Sequence, residues 1–145
     1  MPLAIGLALA FSALSPNAAA SSTASVPVSQ PAAQTVQEQV AAYFADAPIM
    51  VSISQCESHF RQYDSSGAVF RGEQNHQDVG VMQINEHYHL DTSKKLGDDI
   101  YTVAGNLAYA RFLYEEEGTA PWSSSEPCWS KSKAARDLAL AHADK

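Results

Sequence analysis

The stretch from Gln55 to Asn85 constrains the fold of this chain more than any other part of the sequence. It starts where an apolar helical pattern ends, at Cys56–Ser58, and it closes on Asp78–Asn85, with the sequence DVGVMQIN. Between these segments lie a turn signal, Asp64–Gly67, and a short β candidate, Ala68–Arg71. The sequence therefore predicts a small, irregular antiparallel ribbon that follows a helix.

Apolar residues at a 3.6-residue period predict helices on both sides of this ribbon. The first covers Val36–Phe44, and the second starts at Pro48, a residue suited to a first helical turn, and ends near Ser58. Further helices are predicted over residues 80–86, 90–96, 98–118 and 134–143, with a loop over residues 121–129. Together these segments predict an α+β fold that is mainly helical, with one small antiparallel β ribbon.

The 145 residues suffice for one domain. Residues 1–20 carry no charge and combine an apolar run, Leu3–Leu14, with small residues at Ala18–Ala20, which is the pattern of a cleavable signal peptide. Because that run is too short to span a bilayer, no integral membrane segment is expected in the mature chain. We expect a flexible linker over residues 21–34, a folded domain over residues 35–145, and a monomer that is secreted or periplasmic.

Charge and cysteine content narrow the partners and the compartment. The net charge of −7 gives no attraction to nucleic acid or to anionic membranes, so hydrogen bonds and shape must capture any substrate. Cys56 and Cys128 are the two cysteines, and an even number in an exported chain predicts a disulfide between them. In a chain that is not exported, the same two residues would be free buried thiols.

Glu57 and Asp78 form the candidate catalytic pair. Glu57 lies in the last turn of an apolar helix, where the helix dipole and partial burial both raise the pKa of a carboxyl, as a general acid near neutral pH requires. Asp78 follows the polar segment that contains Asn75 and is expected to stay ionised. Cleavage of a glycosidic bond needs two carboxylates in different environments. A single acid is more often a solvated surface group, but both of these lie among Gly, Gln and Asn residues.

The motifs Cys56–Phe60 and Asp78–Asn85 resemble the lysozyme superfamily, and the similarity extends over about Ile49–Trp129. Glu-Ser followed by Gly-x-Met-Gln is similar to the soluble-type (SLT) lytic transglycosylases, and Asp-x-Gly-x-x-Gln-Ile-Asn is similar to the c-type lysozymes. The resemblance implies a lysozyme-like catalytic domain that cuts the MurNAc–GlcNAc β-1,4 bond of peptidoglycan glycan strands. It makes Glu57 the general acid and Asp78 the second catalytic carboxylate. No cofactor or metal is expected.

The same resemblance implies substrate-binding residues beside the two acids and on the longest helix: Ser58, Met82, Gln83, Asn85 and Asn106. One transglycosylase feature is missing, an Ala-Tyr-Asn-Ala-Gly segment, because Pro121–Trp129 occupies its place. Tyr109 or Tyr114 could replace that tyrosine or pack in the core, so an anhydro-sugar and a reducing end are both open as products. Trp122 and Trp129 could likewise stack on sugars or fill the core.

Three other interpretations are compatible with the sequence. Cys56 near His59 has the composition of a cysteine peptidase, although a nucleophilic cysteine favours the start of a helix over its end. A non-catalytic glycan-binding or envelope-assembly protein on a lysozyme-like fold is the second, although the intact Glu57 favours an enzyme. The third is a metal site formed by His76, Glu86, His87 and His89. The spacing of these residues does not put the ligands on one helical face.

Overall fold

The computed structural model describes residues 32–143 of the chain. The expected signal peptide, residues 1–20, and residues 21–31 of the expected linker lie outside this described part. The chain divides into two compact units between Ala32 and Ala33, and every element below belongs to the second. In chain order these elements are α1 (Val36–Tyr43), α2 (Pro48–Ser58), β1 (Asp78–Val79), β2 (Ile84–Asn85), α3 (Glu86–Leu96), α4 (Val103–Glu117), a 3-10 helix (Ala120–Ser125), α5 (Glu126–Trp129) and α6 (Lys133–Ala143). The prediction of an α+β chain that is mainly helical, with a small antiparallel sheet, is confirmed.

The first two helices form where the apolar periodicity predicts them. The Thr35 hydroxyl accepts a hydrogen bond from the Glu38 backbone N–H and caps the start of α1, and the Glu38 carboxylate accepts one from the Thr35 backbone in return. Pro48 lies in the first turn of α2. His59, with a left-handed φ of 53°, ends α2 and turns the chain sharply. The last turn of α2 therefore carries Glu57, as predicted.

A two-stranded antiparallel sheet follows the turn-rich segment, and Asp78 lies opposite Asn85 in it. The predicted strand over residues 68–71 is shorter than expected and contributes isolated bridges, at Val69 and at Arg71. The chain here makes tight turns in place of a regular ladder. The ribbon is therefore smaller than the sequence predicts, and its ordered part is the pair β1–β2.

The predicted helix over residues 80–86 is wrong. Gly80 and Gln83 have φ values of 74° and 50°, so the segment forms a tight turn between β1 and β2. A right-handed helix cannot pass through two left-handed residues. The next helix, α3, starts directly after β2, earlier than predicted, and ends at Gly97 as predicted.

The longest helix, α4, begins later than its predicted opening at Asp98. The Thr102 hydroxyl caps it by accepting a hydrogen bond of 3.1 Å from the Gly105 N–H. A Cβ at Gly105 would lie 2.1 Å from the backbone oxygen of Asp99, so the preceding turn packs directly against the helix. That close packing explains why α4 starts later than the apolar pattern predicts, whereas its C-terminus at Gly118 is as predicted.

The predicted loop over residues 121–129 instead forms the 3-10 helix and α5, each with a proline in its first turn. Its two indole rings are buried, with 3% of Trp122 and 8% of Trp129 exposed. Trp122 Nε1 donates to the Met82 carbonyl at 2.9 Å, and Trp129 Nε1 donates to the Trp122 carbonyl at 3.0 Å. Both rings therefore pack in the core in preference to stacking on a sugar.

Cys56 and Cys128 form the predicted disulfide, which joins the last turn of α2 to α5. The bond closes a loop of 72 positions, which on chain entropy alone stabilises the fold by roughly 4 kcal/mol. Cys56 directly precedes Glu57 in the sequence. The covalent connection between the two helices therefore lies beside the candidate acid.

Two fully buried amide side chains hold the turn between β1 and β2. The Gln62 carboxamide accepts a hydrogen bond from the Val81 N–H at 2.9 Å. The Asn106 carboxamide, on α4, accepts one from the Met82 N–H at 2.9 Å and donates one to the Val79 carbonyl at 3.0 Å. These bonds pair backbone groups that the short strands leave unpaired. The apolar core around them includes Val40, Phe44, Met50, Ile53, Val81, Met82, Ile100, Tyr109 and Leu113.

We expect Asn106→Ala to lower the free energy of unfolding by about 2–4 kcal/mol, because it leaves buried backbone groups of the turn without partners. Urea denaturation followed by circular dichroism measures the change. Asn75→Ala is the control, since the Asn75 side chain is exposed and its removal should cost about 0.5 kcal/mol or less. Equal losses in the two variants would contradict the role given to Asn106.

Candidate active site

A cleft of about 390 Å³ is lined by the end of α2, the ribbon and the 3-10 helix. Glu57, Asp78, Gln83 and Ser125 contribute to its walls. A smaller cavity of about 110 Å³ shares Glu57, Asp78 and Gln83 with the cleft, so the two cavities adjoin at the candidate acids. The larger volume is within the range of small-molecule sites. The structure thus brings both candidate acids to one cleft.

Glu57 is half-buried in the last turn of α2. Burial raises the pKa of Glu57 above its ordinary value, and the negative charge of Asp78 adds to the rise. The Ser125 hydroxyl donates a hydrogen bond of 2.6 Å to Glu57 Oε1, which lowers the pKa of Glu57 without offsetting the burial. The net direction is the one expected for an acid that keeps its proton towards neutral pH.

Asp78 lies on β1 and is half-buried. Two amide groups donate to its Oδ1, the Asn85 Nδ2 at 2.7 Å and the Asn75 Nδ2 at 3.1 Å. The first bond follows from the strand register, which places Asn85 directly opposite Asp78. These donors fix the orientation of the carboxylate, and the polar partners of Asp78 contrast with the burial that dominates at Glu57.

Gln83 and Asn85 line the cavities, and each uses one side-chain group to brace the ribbon. Gln83 Nε2 donates to the Gly80 carbonyl at 2.8 Å. Asn85 lines the smaller cavity, and its Oδ1 is buried without a hydrogen-bond partner among residues 32–143. A buried acceptor of this kind is normally paired, so it is available to an N–H or O–H group of a ligand or to water.

Three of the predicted substrate-binding residues lie in the interior. The side chains of Ser58, Met82 and Asn106 have no exposed surface. The Ser58 hydroxyl donates to the Val81 carbonyl at 2.7 Å, and the Asn106 amide bonds to the backbone of the β1–β2 turn. The prediction of direct substrate contact is therefore corrected for these residues, which position the turn that carries the site.

Sequence reasoning missed Ser125, and it considered His89 only as a member of a possible metal site. Ser125 follows Trp122 in a serine-rich segment, and nothing in that segment points to a partner on α2. His89 lines the smaller cavity, and its Nδ1 lies 3.0 Å from the Tyr109 hydroxyl. Burial lowers the pKa of His89, which favours the neutral ring. Tyr109 is thus engaged with His89 in the core and does not take the place of a tyrosine beside Glu57.

The structure also bears on two alternative sites. Cys56 is bonded to Cys128, so it provides no free thiol for a cysteine peptidase. Glu86 binds the Arg71 guanidinium at 2.7 Å and the Tyr101 hydroxyl at 2.8 Å. Within residues 32–143 no group of three or more His, Cys, Asp or Glu side chains is arranged to hold a metal.

In the same part of the chain, no helix combines the length and the apolar character needed to cross a membrane.

No protein-family model, curated protein or solved structure gives a significant match to this chain. Any functional conclusion therefore rests on the short motifs around Glu57 and Asp78 and on the geometry of the cleft.

We expect Glu57→Gln to raise the melting temperature at neutral pH by roughly 2–4 °C. The folded protein favours protonated Glu57, so the stability that this residue contributes is complete below its ordinary pKa and is lost as pH rises through the raised pKa. The increase in melting temperature caused by the neutral amide of Glu57→Gln should therefore disappear at acidic pH. Thermal denaturation over a series of pH values measures it.

Glu86→Gln is the control with the opposite sign. Hydrogen bonds from Arg71 lower the pKa of Glu86, so its contribution is present above its ordinary pKa and is lost as pH falls through the lowered value. Glu86→Gln should lower the melting temperature at neutral pH, with less effect in acid. A Glu57→Gln variant that is destabilised at neutral pH would contradict the environment assigned to Glu57.

Proposed function

We propose that this protein is a peptidoglycan-cleaving glycosidase on a lysozyme-like fold, which cuts the MurNAc–GlcNAc β-1,4 bond with Glu57 as general acid. The observation that carries the proposal is the half-buried Glu57 carboxyl, whose pKa is raised and which shares a cleft wall with Asp78. Two carboxyl groups in contrasting environments at one cleft are the arrangement that glycosidic bond cleavage requires.

In the first step Glu57 donates its proton to the glycosidic oxygen, so that the leaving sugar departs as an alcohol. This step needs a carboxylic acid that is still protonated near the working pH, and burial of Glu57 supplies the required direction of its pKa. The oxocarbenium-like centre that develops is positively charged. A carboxylate on the same cleft can stabilise it through space or by forming a covalent bond.

Asp78 is the carboxylate proposed for that second role. Amide donors from Asn75 and Asn85 orient it from one side, so no reorientation is needed when charge develops on the sugar. Water then attacks the sugar, with Glu57 as the base, and releases a reducing end. In the transglycosylase variant of the mechanism, Glu57 instead takes the proton of a hydroxyl group of the same sugar, which closes an anhydro ring. The presence of a second carboxylate, Asp78, on the same cleft favours the hydrolytic route.

The cleft also suits an uncharged, hydroxyl-rich ligand. Amide groups lie near the acids, because Gln83 lines both cavities and Asn85 Oδ1 in the adjoining cavity lacks a protein donor among residues 32–143. With a net charge of −7 the chain does not attract polyanions, so capture by hydrogen bonds and shape is consistent with glycan strands as the partner.

The disulfide supports action outside the reducing cytoplasm, because disulfides persist in oxidising compartments. Together with the signal peptide expected over residues 1–20, it supports a secreted or periplasmic enzyme. Peptidoglycan also lies outside the cytoplasm, where such an enzyme would act.

We expect the protein to release glycan fragments from purified peptidoglycan and Glu57→Gln to release them at least about 100-fold more slowly, because the variant has no proton to donate. Mass spectrometry of the soluble fragments measures the rate. Glu73→Gln is the matched control, since Glu73 is an exposed acid on the wall of the same cleft and should be dispensable. Asp78→Asn should also be severely impaired if both carboxylates act.

The fragments and the pH dependence separate the possible outcomes. Activity should fall as pH rises through the raised pKa of Glu57, since the acid form is the active one. Reducing ends indicate hydrolysis and anhydro ends indicate transglycosylation. Equal activity of Glu57→Gln and the parent would remove Glu57 from the mechanism. A parent that binds glycan strands without releasing fragments would be a glycan-binding protein, which contradicts the proposal.

A further inference from the structure

The Ser125 hydroxyl is the one side-chain group that hydrogen-bonds the Glu57 carboxyl among residues 32–143. The bond joins Ser125 Oγ to Glu57 Oε1 over 2.6 Å, between residues 68 positions apart in the chain. A length of 2.5–2.7 Å is typical of an O–H group that donates to a carboxylate. Ser125 therefore contacts the proposed acid directly, at the end of the 3-10 helix.

The hydroxyl has a second acceptor within reach, and the competition between the two is informative. Ser125 Oγ also lies 3.2 Å from the Trp122 carbonyl, which already accepts a hydrogen bond from the Trp129 indole. A hydroxyl carries one proton, so it donates to one acceptor at a time. The shorter bond to Glu57 Oε1 is the favoured one, and it uses Oε1 as an acceptor.

This donor decides where the Glu57 proton is placed. If the proton were on Oε1, the Ser125 hydroxyl would have to accept a hydrogen bond from it. Ser125 would then donate its own proton to the more distant Trp122 carbonyl. If the proton is on Oε2, Ser125 keeps its short bond to Oε1 in both the acid and the ionised state of Glu57. The second arrangement needs no rotation of the hydroxyl when the proton is transferred.

We propose that Ser125 is a positioning residue for Glu57, whose hydroxyl keeps the catalytic proton on Oε2, the oxygen that has no partner among the described residues. The inference rests on the proposed function of Glu57 as general acid. It adds a specific role for a residue that acts through the acid and forms no bond to the substrate.

The segment that carries Ser125 is held on both sides. Trp122 Nε1 donates to the Met82 carbonyl at 2.9 Å, and the Cys56–Cys128 disulfide connects α5 to the residue before Glu57. Because these ties fix both ends of the hydrogen bond, the hydroxyl is placed before substrate binds. Such preorganisation keeps a catalytic group in its productive orientation.

The test compares Ser125→Ala, Ser125→Thr and Ser124→Ala with the parent protein. Ser124 lines the same cleft, and within residues 32–143 its side chain makes no hydrogen bond to Glu57, so Ser124→Ala is the matched control. The readout is an NMR titration of the Glu57 carboxyl without substrate. Removal of the donor in Ser125→Ala should raise the pKa of Glu57, whereas Ser125→Thr, which keeps a hydroxyl, and Ser124→Ala should leave it near the parental value.

Kinetics on peptidoglycan supply the second readout. Ser125→Ala should lower kcat roughly tenfold with little change in KM, and Ser125→Thr should restore most of it. The alkaline limb of the pH profile of Ser125→Ala should move to higher pH. These changes follow from a misplaced acid and not from weaker substrate binding.

The outcomes distinguish this inference from the proposed function. An active parent in which Ser125→Ala leaves both the Glu57 titration and kcat unchanged would overturn the role of Ser125 and leave the proposed function intact. A raised Glu57 pKa in Ser125→Ala, in a protein that releases no glycan fragments, would support the hydrogen bond and overturn the proposed function together with the positioning role of Ser125.

Discussion

Two buried carboxamides organise the part of the molecule on which the cleft depends. Gln62 and Asn106 bind the backbone of the turn between β1 and β2, where the two-residue strands offer too few ladder partners. A Cβ at Gly80 would lie 2.5 Å from the Asn106 amide nitrogen, so the turn and the amides fit closely. This contact sets the position of Asp78 at one end of the turn and Asn85 at the other. α4 therefore supports the site without contributing an acid to it.

The two acids owe their contrast to different neighbours. Burial dominates at Glu57, and a single hydroxyl partner lowers its pKa without offsetting that burial. Asp78 instead has two amide donors on one oxygen, and both of these come from the ribbon. The fold brings an apolar helix end and a polar ribbon together, and this juxtaposition gives the two carboxyl groups different hydrogen-bond partners.

Local patterns were enough to predict the features that depend on local physics. The apolar period identified α1 and α2, and glycines marked the ends of α3 and α4, because helix termination is decided within one turn. The helix expected over residues 80–86 failed since an apolar run does not reveal left-handed backbone at Gly80 and Gln83. The start of α4 failed because it depends on the close packing of Asp99 against Gly105.

The positions of the candidate site residues were predictable only in part. Glu57 and Asp78 were identified by residue type and context, and both line the cleft. Asn106 was expected at the substrate and is instead buried, because a motif gives a residue's position in the chain and not the direction of its side chain. Ser125 could not be found, since its partner is 68 positions away and the serines around it look alike.

The disulfide makes the assembly of the cleft depend on the oxidation state of Cys56 and Cys128. Before Cys56 and Cys128 are oxidised, the Glu57 side and the Ser125 side of the cleft are joined by packing and hydrogen bonds alone. Because disulfides persist in oxidising compartments, this covalent connection is retained there and not in a reducing one. The two sides of the cleft are therefore held together most firmly in an oxidising environment.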